Sequence, residues 1–267
     1  MVDFTRLDAV RQRRPLVHCV SNIVSANDCA NLALAVGAGP MMAQAPEEMA
    51  EITAASAATV LNTGTPDGEK FKVCLLCGRE ASRLGRPVVL DPVGVGASSW
   101  RLERTTELLH LFTPTILRVN LGEAQALVKS DSLEQGVDSP APATRDERLE
   151  AAVRLARRRR TTVLLSGPED IVTDGSAAWC VSGGSGWMSR VTGTGCMLSV
   201  LCGVFAAVEP EMASAAVLAA AFWKVCSQRA ERLAGDRGPG SFHTALLDTA
   251  GTLTAEALAA EAKIEKL

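Results

Sequence analysis

Five stretches of the chain set reactive side chains where a short apolar run gives way to glycine or to a helix. VHCVSN (residues 17–22) ends in the amide of Asn22, and LDPVGVG (90–96) delivers the Asp91 carboxylate into a glycine turn. LRVNLGE (117–123) offers Arg118, Asn120 and a second carboxylate, Glu123; VLLSG (163–167) ends in the Ser166 hydroxyl. The fifth, VTGTGCMLSV (191–200), runs from a glycine-rich turn into an apolar helical pattern with Cys196 at its mouth. Successive backbone N–H groups at such a helix start, those of Gly193, Thr194 and Gly195, form an anion site, and glycine lets the backbone approach the ligand. A cysteine there reads three ways: as packing, as a redox thiol, or as a participant in phosphoryl transfer. Taken singly the other stretches are ambiguous. Asp-Pro after a strand is common turn chemistry, Asn120 with Glu123 is also an N-cap with a first-turn acid, and Ser166-Gly167-Pro168 is by default a turn.

Several chemistries are excluded by what the sequence lacks. There is no GxxxxGK[ST] phosphate loop, and the GxG pieces at 37–39, 94–96, 193–195 and 238–240 never complete GxGxxG. No GxSxG nucleophile elbow and no HExxH pair occurs. The eight cysteines show no paired-knuckle spacing, so a zinc site is not expected; Cys74 and Cys77 form a CxxC inside a helical pattern, where core packing is the expected role.

The elements that must position these residues are legible as alternating periods. Leu16–Val20, Thr59–Leu61, Val88–Leu90, Thr115–Val119 and Thr162–Leu165 are continuous apolar runs of the kind that parallel strands covered on both faces require. Helical patterns over Ala26–Val36, Glu47–Ser56, Gly68–Leu84, Arg101–Leu111 and Arg145–Arg158 separate them, which predicts an α/β layered sandwich. Ile171–Thr173 and Ala177–Val181, joined by Asp-Gly-Ser, predict a hairpin at the sheet edge. From Cys196 the chain is alanine-rich and helical, with breaks at Glu209-Pro210 and at GDRGPGS (235–241). Thr144 to Glu147 reads as a capping box opening the helix that Arg157–Arg160 closes, a placement that suits the helix dipole. The Pro- and Ser-rich Gly136–Thr144 stretch reads as a surface loop, either a lid or a length variant. One domain spanning 1–267 is expected.

With 47% hydrophobic and 21% charged residues and a net charge of -3, the composition is that of a soluble globular protein and argues against a polyanion partner. No window reaches the ~18 apolar residues of a membrane span, and the opening MVDFTRLDAVRQRRP has no signal-peptide core. A cytoplasmic protein with reduced cysteines is expected.

Taken together, the Val17-His18 to Asn22 strand end, GAGPMMA (37–43), LDPVGVGA, Arg118-x-Asn120-x-x-Glu123, TGTGC and GPGSF (238–242) occur in the order found in hydroxyethylthiazole kinases, and from about Pro15 to Leu246 the chain resembles that family. The resemblance implies a ribokinase-like three-layer sandwich, a mostly parallel sheet flanked by helices. It implies ATP-dependent phosphorylation of the alcohol of 4-methyl-5-(2-hydroxyethyl)thiazole for thiamine salvage, in a homotrimer with active sites between subunits. Matching positions place Asn22, Met42 and Gly193 at the thiazole. Arg118 falls at the ATP phosphates, Ser166 near the nucleotide, and Asp91 with Glu123 at Mg2+, directly or through water. Cys196 stands where ribokinase relatives carry an aspartate base. A helix start favours thiolate and phosphoryl transfer makes little demand on a base, so a weak base or positioning group is implied.

The chain departs from the family pattern on the acceptor side. Ile23 follows Asn22 where a second polar residue is usual, and SANDC (25–29) and the residues between Arg118 and Glu123 are unusual. The alternatives are therefore a hydroxymethylpyrimidine kinase, a nucleotide-dependent dehydratase or repair enzyme, a non-catalytic metabolite sensor on the same fold, or a redox protein using Cys74 and Cys77. If the thiol assists chemistry, Cys196→Ala will lower turnover more than acceptor binding in steady-state kinetics; unchanged turnover would remove it from the mechanism.

Overall fold

Side chains along each central strand alternate between two apolar environments, and this alternation builds the layers. The computed structural model describes residues 2–129 and 143–267. The Gly136–Thr144 loop lies, up to residue 142, outside the described residues. In chain order the elements are α1 (Arg6–Arg13), β1 (Leu16–Val20), α2 (Ala26–Val36), β2 (Gly39–Met41), α3 (Met49–Ala55), β3 (Ala58–Asn62) and α4 (Gly68–Arg83). Then come β4 (Val88–Asp91), α5 (Ser99–Leu111), β5 (Ile116–Asn120), α6 (Leu121–Lys129), α7 (Arg145–Arg159), β6 (Thr162–Ser166), β7 (Asp170–Thr173) and β8 (Ala178–Ser182). The chain closes with α8 (Thr194–Ala206), α9 (Met212–Ala234), α10 (Pro239–Thr252), α11 (Ala255–Glu261) and β9 (Lys263–Lys266).

The described strands form one sheet in the order β2-β1-β3-β4-β5-β6-β7-β8-β9. Pairing is parallel from β2 through β6 and antiparallel beyond. Val17, Val60, Val89, Ile116 and Leu164 face a core shared with α8 and α9. Their neighbours Leu61, Leu90, Leu117 and Leu165 face a second core with α4 and α7. The period of two therefore sorts every central strand between two helical layers. α8 is buried all round from Met197 to Ala206, so it lies inside one layer rather than on its surface.

Local chemistry sets the element ends. Asp67 accepts the Lys70 N–H at 2.7 Å to start α4, and the Thr144–Glu147 capping box starts α7 as the sequence predicts. The arginine run closes α7, and Arg157 also donates to the Gly175 carbonyl at 2.7 Å.

Three readings need correction. GAGPMMA holds a strand: Gly39–Met41 pairs with β1 and forms the sheet edge. The β7–β8 hairpin forms but is not the edge, because the C-terminal β9 pairs beyond it. The break expected at GDRGPGS falls there, with Pro239 opening α10 at the first helical position where its missing N–H is harmless. The Glu47–Ser56 helix begins as a 3-10 turn over Pro46–Glu48, and α itself starts at Met49. The short β2 and β9 are missed because pairing with a preformed neighbour, rather than their own periodicity, makes them strands.

Candidate active site

Six neighbouring parallel strands end at one edge of the sheet, and each brings one residue of the site there. In spatial order these are Met42 just beyond β2, Asn22 just beyond β1, Asn62 ending β3, Asp91 ending β4, Arg118 on β5 and Ser166 ending β6. Asn62 and Asp91 are register partners, and Asn120 pairs Ser166. Asn62, Asp91, Arg118 and Ser166 share the parity of Val60, Val89, Ile116 and Leu164, so they point to the α8 side. The carboxyl edge of such a sheet is where ligands bind in α/β folds.

α8 aims its N-terminus into this row. Gly193 precedes it with φ 81°, and a Cβ there would stand 2.7 Å from that of Ser25; a Cβ on Gly195 would stand 2.7 Å from Arg118 Nη2. Glycine is required at both places, by backbone conformation at the first and by the guanidinium at the second. With no side chain at the cap, the first-turn N–H groups are left for a ligand. Arg118 donates to Ser166 Oγ at 2.7 Å and pairs with Asp91 at 3.5 Å, while its buried Nε has no partner among the described residues. A cavity of about 550 Å³, bounded by Arg118, Ser166, Thr194, Gly195, Trp223 and Lys224, opens beside them. That is the size of a small-ligand or nucleotide site.

Asp91 is fully buried. Its Oδ2 accepts from Asn62 Nδ2 at 2.8 Å and from Ser199 Oγ at 2.7 Å. Burial pushes its carboxyl up to about 6; Arg118 pulls the other way, and the Glu123 charge adds to the rise. Glu123 accepts the Gly94 N–H through Oε1 and the Asn120 N–H through Oε2, both at 2.9 Å, while Asn120 Oδ1 accepts the Glu123 N–H. Glu123 thus caps α6 and also ties the β4 glycine turn to it. Two mutually interacting carboxylates with no third His, Cys, Asp or Glu clustered on them among the described residues suit Mg2+, which needs one or two carboxylates besides phosphate and water.

On the acceptor side, Asn22 Nδ2 donates to Cys196 Sγ at 3.3 Å and to Asn62 Oδ1 at 3.0 Å. Asn22 Oδ1 accepts the Val24 and Ser25 N–H groups, which fixes the amide's orientation. Cys196 is half-buried, whereas the other seven thiols are buried, and all eight are free. Met42 packs on the same core as Cys196. Two residues that the sequence did not flag hold the flanking backbone. His18 Nε2 lies 3.0 Å from the Ala43 carbonyl and Nδ1 lies 3.3 Å from Thr53 Oγ1, so the ring donates through Nε2, and burial lowers its proton affinity. Lys70 Nζ donates to the Ser21 carbonyl and, at 2.9 Å, to Gln44 Oε1.

Every candidate residue therefore lies at this edge or at the α8 mouth. A hydrogen-bonded line runs from Cys196 through Asn22, Asn62, Asp91 and Arg118 to Ser166. Asn62 and Ser199 complete it and were also missed, although each is a polar residue in an otherwise apolar run, LNT and MLSVL. The line joins a thiol to an anion hole and buried carboxylates, an arrangement suited to moving a phosphoryl group onto an alcohol. The redox alternative loses its basis: Cys74 and Cys77 are buried, and burial pushes their thiols up to about 12 and about 11.

Comparison with known proteins places this arrangement. The sequence pattern of the hydroxyethylthiazole kinase family matches residues 7–256. The chain is 41% identical over 266 residues to hydroxyethylthiazole kinase of Listeria monocytogenes serotype 4a (strain HCC23), covering 100% of this chain and 98% of that protein. Its structure superposes on that of a hydroxyethylthiazole kinase protein from Pyrococcus horikoshii OT3 with a TM-score of 0.91 at 34% identity, covering 99% and 98% of the two chains. A ribokinase-like superfamily protein from Enterococcus faecalis V583 aligns with a TM-score of 0.61 at 13% identity, covering 95% of each chain, a likeness of fold alone.

The Asp91 environment sets a pH dependence. The folded carboxyl holds its proton up to about 6, whereas an unfolded aspartate releases it near ~4. Between those values the folded state binds more protons, so this group's contribution to stability falls as pH rises, by on the order of 3 kcal/mol in total, and is flat above. In magnesium-free buffer, Asp91→Asn will gain stability relative to the parent from pH 4 to pH 6 and hold a constant difference to pH 8. Denaturant midpoints across that range check this; a pH-independent difference would contradict it.

Proposed function

The chain belongs to the hydroxyethylthiazole kinase family, and we propose that the residues of this sheet edge carry the family's reaction, transfer of the ATP γ-phosphoryl group to the hydroxyethyl alcohol of 4-methyl-5-(2-hydroxyethyl)thiazole. The observation that carries the assignment of roles is the contact between Asn22 and Cys196 at the mouth of α8, one residue from the Gly193–Gly195 anion hole.

ATP enters the cavity beside Arg118, with its phosphates toward the N–H groups of Gly193, Thr194 and Gly195. Arg118, anchored on Ser166 and Asp91, meets phosphate oxygens with its guanidinium. Ser166 lies close enough to share its hydroxyl with the nucleotide. The thiazole occupies the other side, against Asn22, Gly193 and the thioether of Met42, a soft partner for a flat sulfur heterocycle. Its alcohol oxygen attacks the γ-phosphorus, the bond from that phosphorus to the bridging oxygen breaks, and ADP leaves. Cys196 orients the alcohol and takes its proton as a weak base, with Asn22 fixing the sulfur. Asp91 and Glu123 would hold Mg2+, which supplies neutralising charge at the β- and γ-phosphates. Glu123, already committed to two backbone N–H groups, contributes chiefly through its charge or through water.

We also propose that the acceptor pocket is completed by neighbouring subunits of a homotrimer. Ile23 is 85% exposed and Val24 57% exposed immediately after Asn22, an apolar pair at the pocket mouth that a second subunit would cover.

Thiazole-dependent ADP release from Mg-ATP, measured beside hydroxymethylpyrimidine and a no-acceptor control, is expected. Turnover with the pyrimidine alone would keep the phosphate site and reassign the acceptor, and no turnover with any acceptor would overturn the assignment. Light scattering should give three times the chain mass; a fully active monomer would remove the trimer.

A further inference from the structure

Lys224 projects from α9 into the wall of the nucleotide cavity, on the side away from Cys196. It is only 14% exposed, and its ammonium meets three acceptors: the Gly167 carbonyl at 2.8 Å, the Pro168 carbonyl at 2.9 Å and Asp170 Oδ1 at 3.3 Å. An ammonium has three N–H donors, so this one is fully used within the protein. Asp170 Oδ1 also accepts the Gly167 N–H at 2.9 Å. The lysine and the aspartate thus grip both backbone polarities of one turn, the β6–β7 connection directly after Ser166.

The grip has a second side. Arg148 on α7 donates to the Glu169 carbonyl at 2.8 Å, and a Cβ on Gly167 would stand 2.4 Å from its guanidinium nitrogens. On the opposite wall Gly184, with φ 89°, passes so close to Lys224 that a Cβ would stand 2.7 Å from its Cδ. Two helices therefore hold the three-residue turn through cations: Lys224 from α9, and from α7 both Arg148 and Arg145, which pairs with the Glu169 carboxylate at 3.1 Å. Lys224, Gly167, Ser166 and Gly184 all line the cavity in which Arg118 stands. The turn continues directly from Ser166, whose hydroxyl accepts from the Arg118 guanidinium at 2.7 Å.

We propose that Lys224 is a positioning residue for the phosphate donor: it straps the β6–β7 turn to α9 so that Ser166 and, through it, Arg118 present a preformed nucleotide site. This rests on the assignment of the cavity to ATP made above. Without the strap the turn keeps its chain connectivity but loses two carbonyl anchors and the partner of a buried carboxylate, so nucleotide binding must then order it. The acceptor side is anchored separately, through His18, Lys70 and Asn22, and is left untouched.

The test is calorimetric titration of the folded full-length protein with a non-hydrolysable ATP analogue and Mg2+, without acceptor, for the parent, Lys224→Met and Lys224→Arg, each checked by thermal melting. Lys224→Met is expected to weaken analogue binding roughly tenfold or more, the equivalent of ~1.4 kcal/mol, and to raise the KM for ATP in step while the KM for the thiazole stays within about twofold. Lys224→Arg, which keeps the charge and can reach two of the three acceptors, should recover part of the loss. Unchanged analogue affinity in a folded Lys224→Met, even with a lowered melting temperature, would overturn the proposal and leave a structural lysine. A parallel rise in both KM values would also overturn it. Should Lys224→Met fail to fold, Lys224→Gln is judged by the same criteria. Failure of the parent protein to bind the analogue would instead overturn the assignment of the cavity to ATP.

Discussion

The carboxylate of Asp91, taken wholly out of water, is the constraint around which the other site residues are arranged. A buried charge is tolerated only with partners, and Asp91 draws one from each neighbouring element: Asn62 from β3, Arg118 from β5 and Ser199 from α8. These partners have obligations of their own. Asn62 must satisfy Asn22, Arg118 must be met by Ser166, and Asn22 reaches Cys196. The site is consequently one polar network, in which removing a middle member leaves buried groups unpaired on both sides. That makes it rigid as well as charged, a useful property where the anion to be stabilised appears only during the reaction.

The two halves of the site are held by different means. Beside α8 and β6 the geometry comes largely from backbone: the first turn of α8 presents N–H groups, and Lys224 and Arg148 hold the β6–β7 turn by its carbonyls. Beside β1 and β2 it comes from side chains reaching across the sheet edge. His18 and Lys70 lie beneath the segments that carry Asn22 and Met42, both with proton affinity lowered by burial. Backbone donors suit an anion such as phosphate, and the departures from the family pattern at Ile23 and Ser25 fall on the half that side chains build.

Much of this was legible in the residues. The apolar runs at 16–20, 88–90 and 162–165 fell within a residue of the strands β1, β4 and β6, because a strand covered on both faces leaves no room for a polar residue until it ends. For the same reason Asn22, Asp91 and Ser166 announced themselves as strand-end residues. Asn62 obeyed the same rule and was overlooked, since LNTGT completes no familiar motif and its importance lies in standing opposite Asp91 in register. His18, inside a strand pattern, gave no sign that its ring would reach the Ala43 carbonyl 25 residues away.

The sequence by itself determined the layered class, the polar strand ends, the glycine turn that opens a helix at Gly193–Gly195 and the family, since these depend on local period, composition and motif order. Tertiary structure alone decided which strands are neighbours, and hence that Asn22, Asn62, Asp91, Arg118 and Ser166 form one line in that order. It also decided that Gly39–Met41 and Lys263–Lys266 become edge strands, and that Lys224, nearly sixty positions from Gly167, meets its carbonyl in the wall of the cavity beside Arg118. The physical reason is that strand pairing and buried-charge pairing join residues far apart in the chain, and no local period encodes which partner will be there.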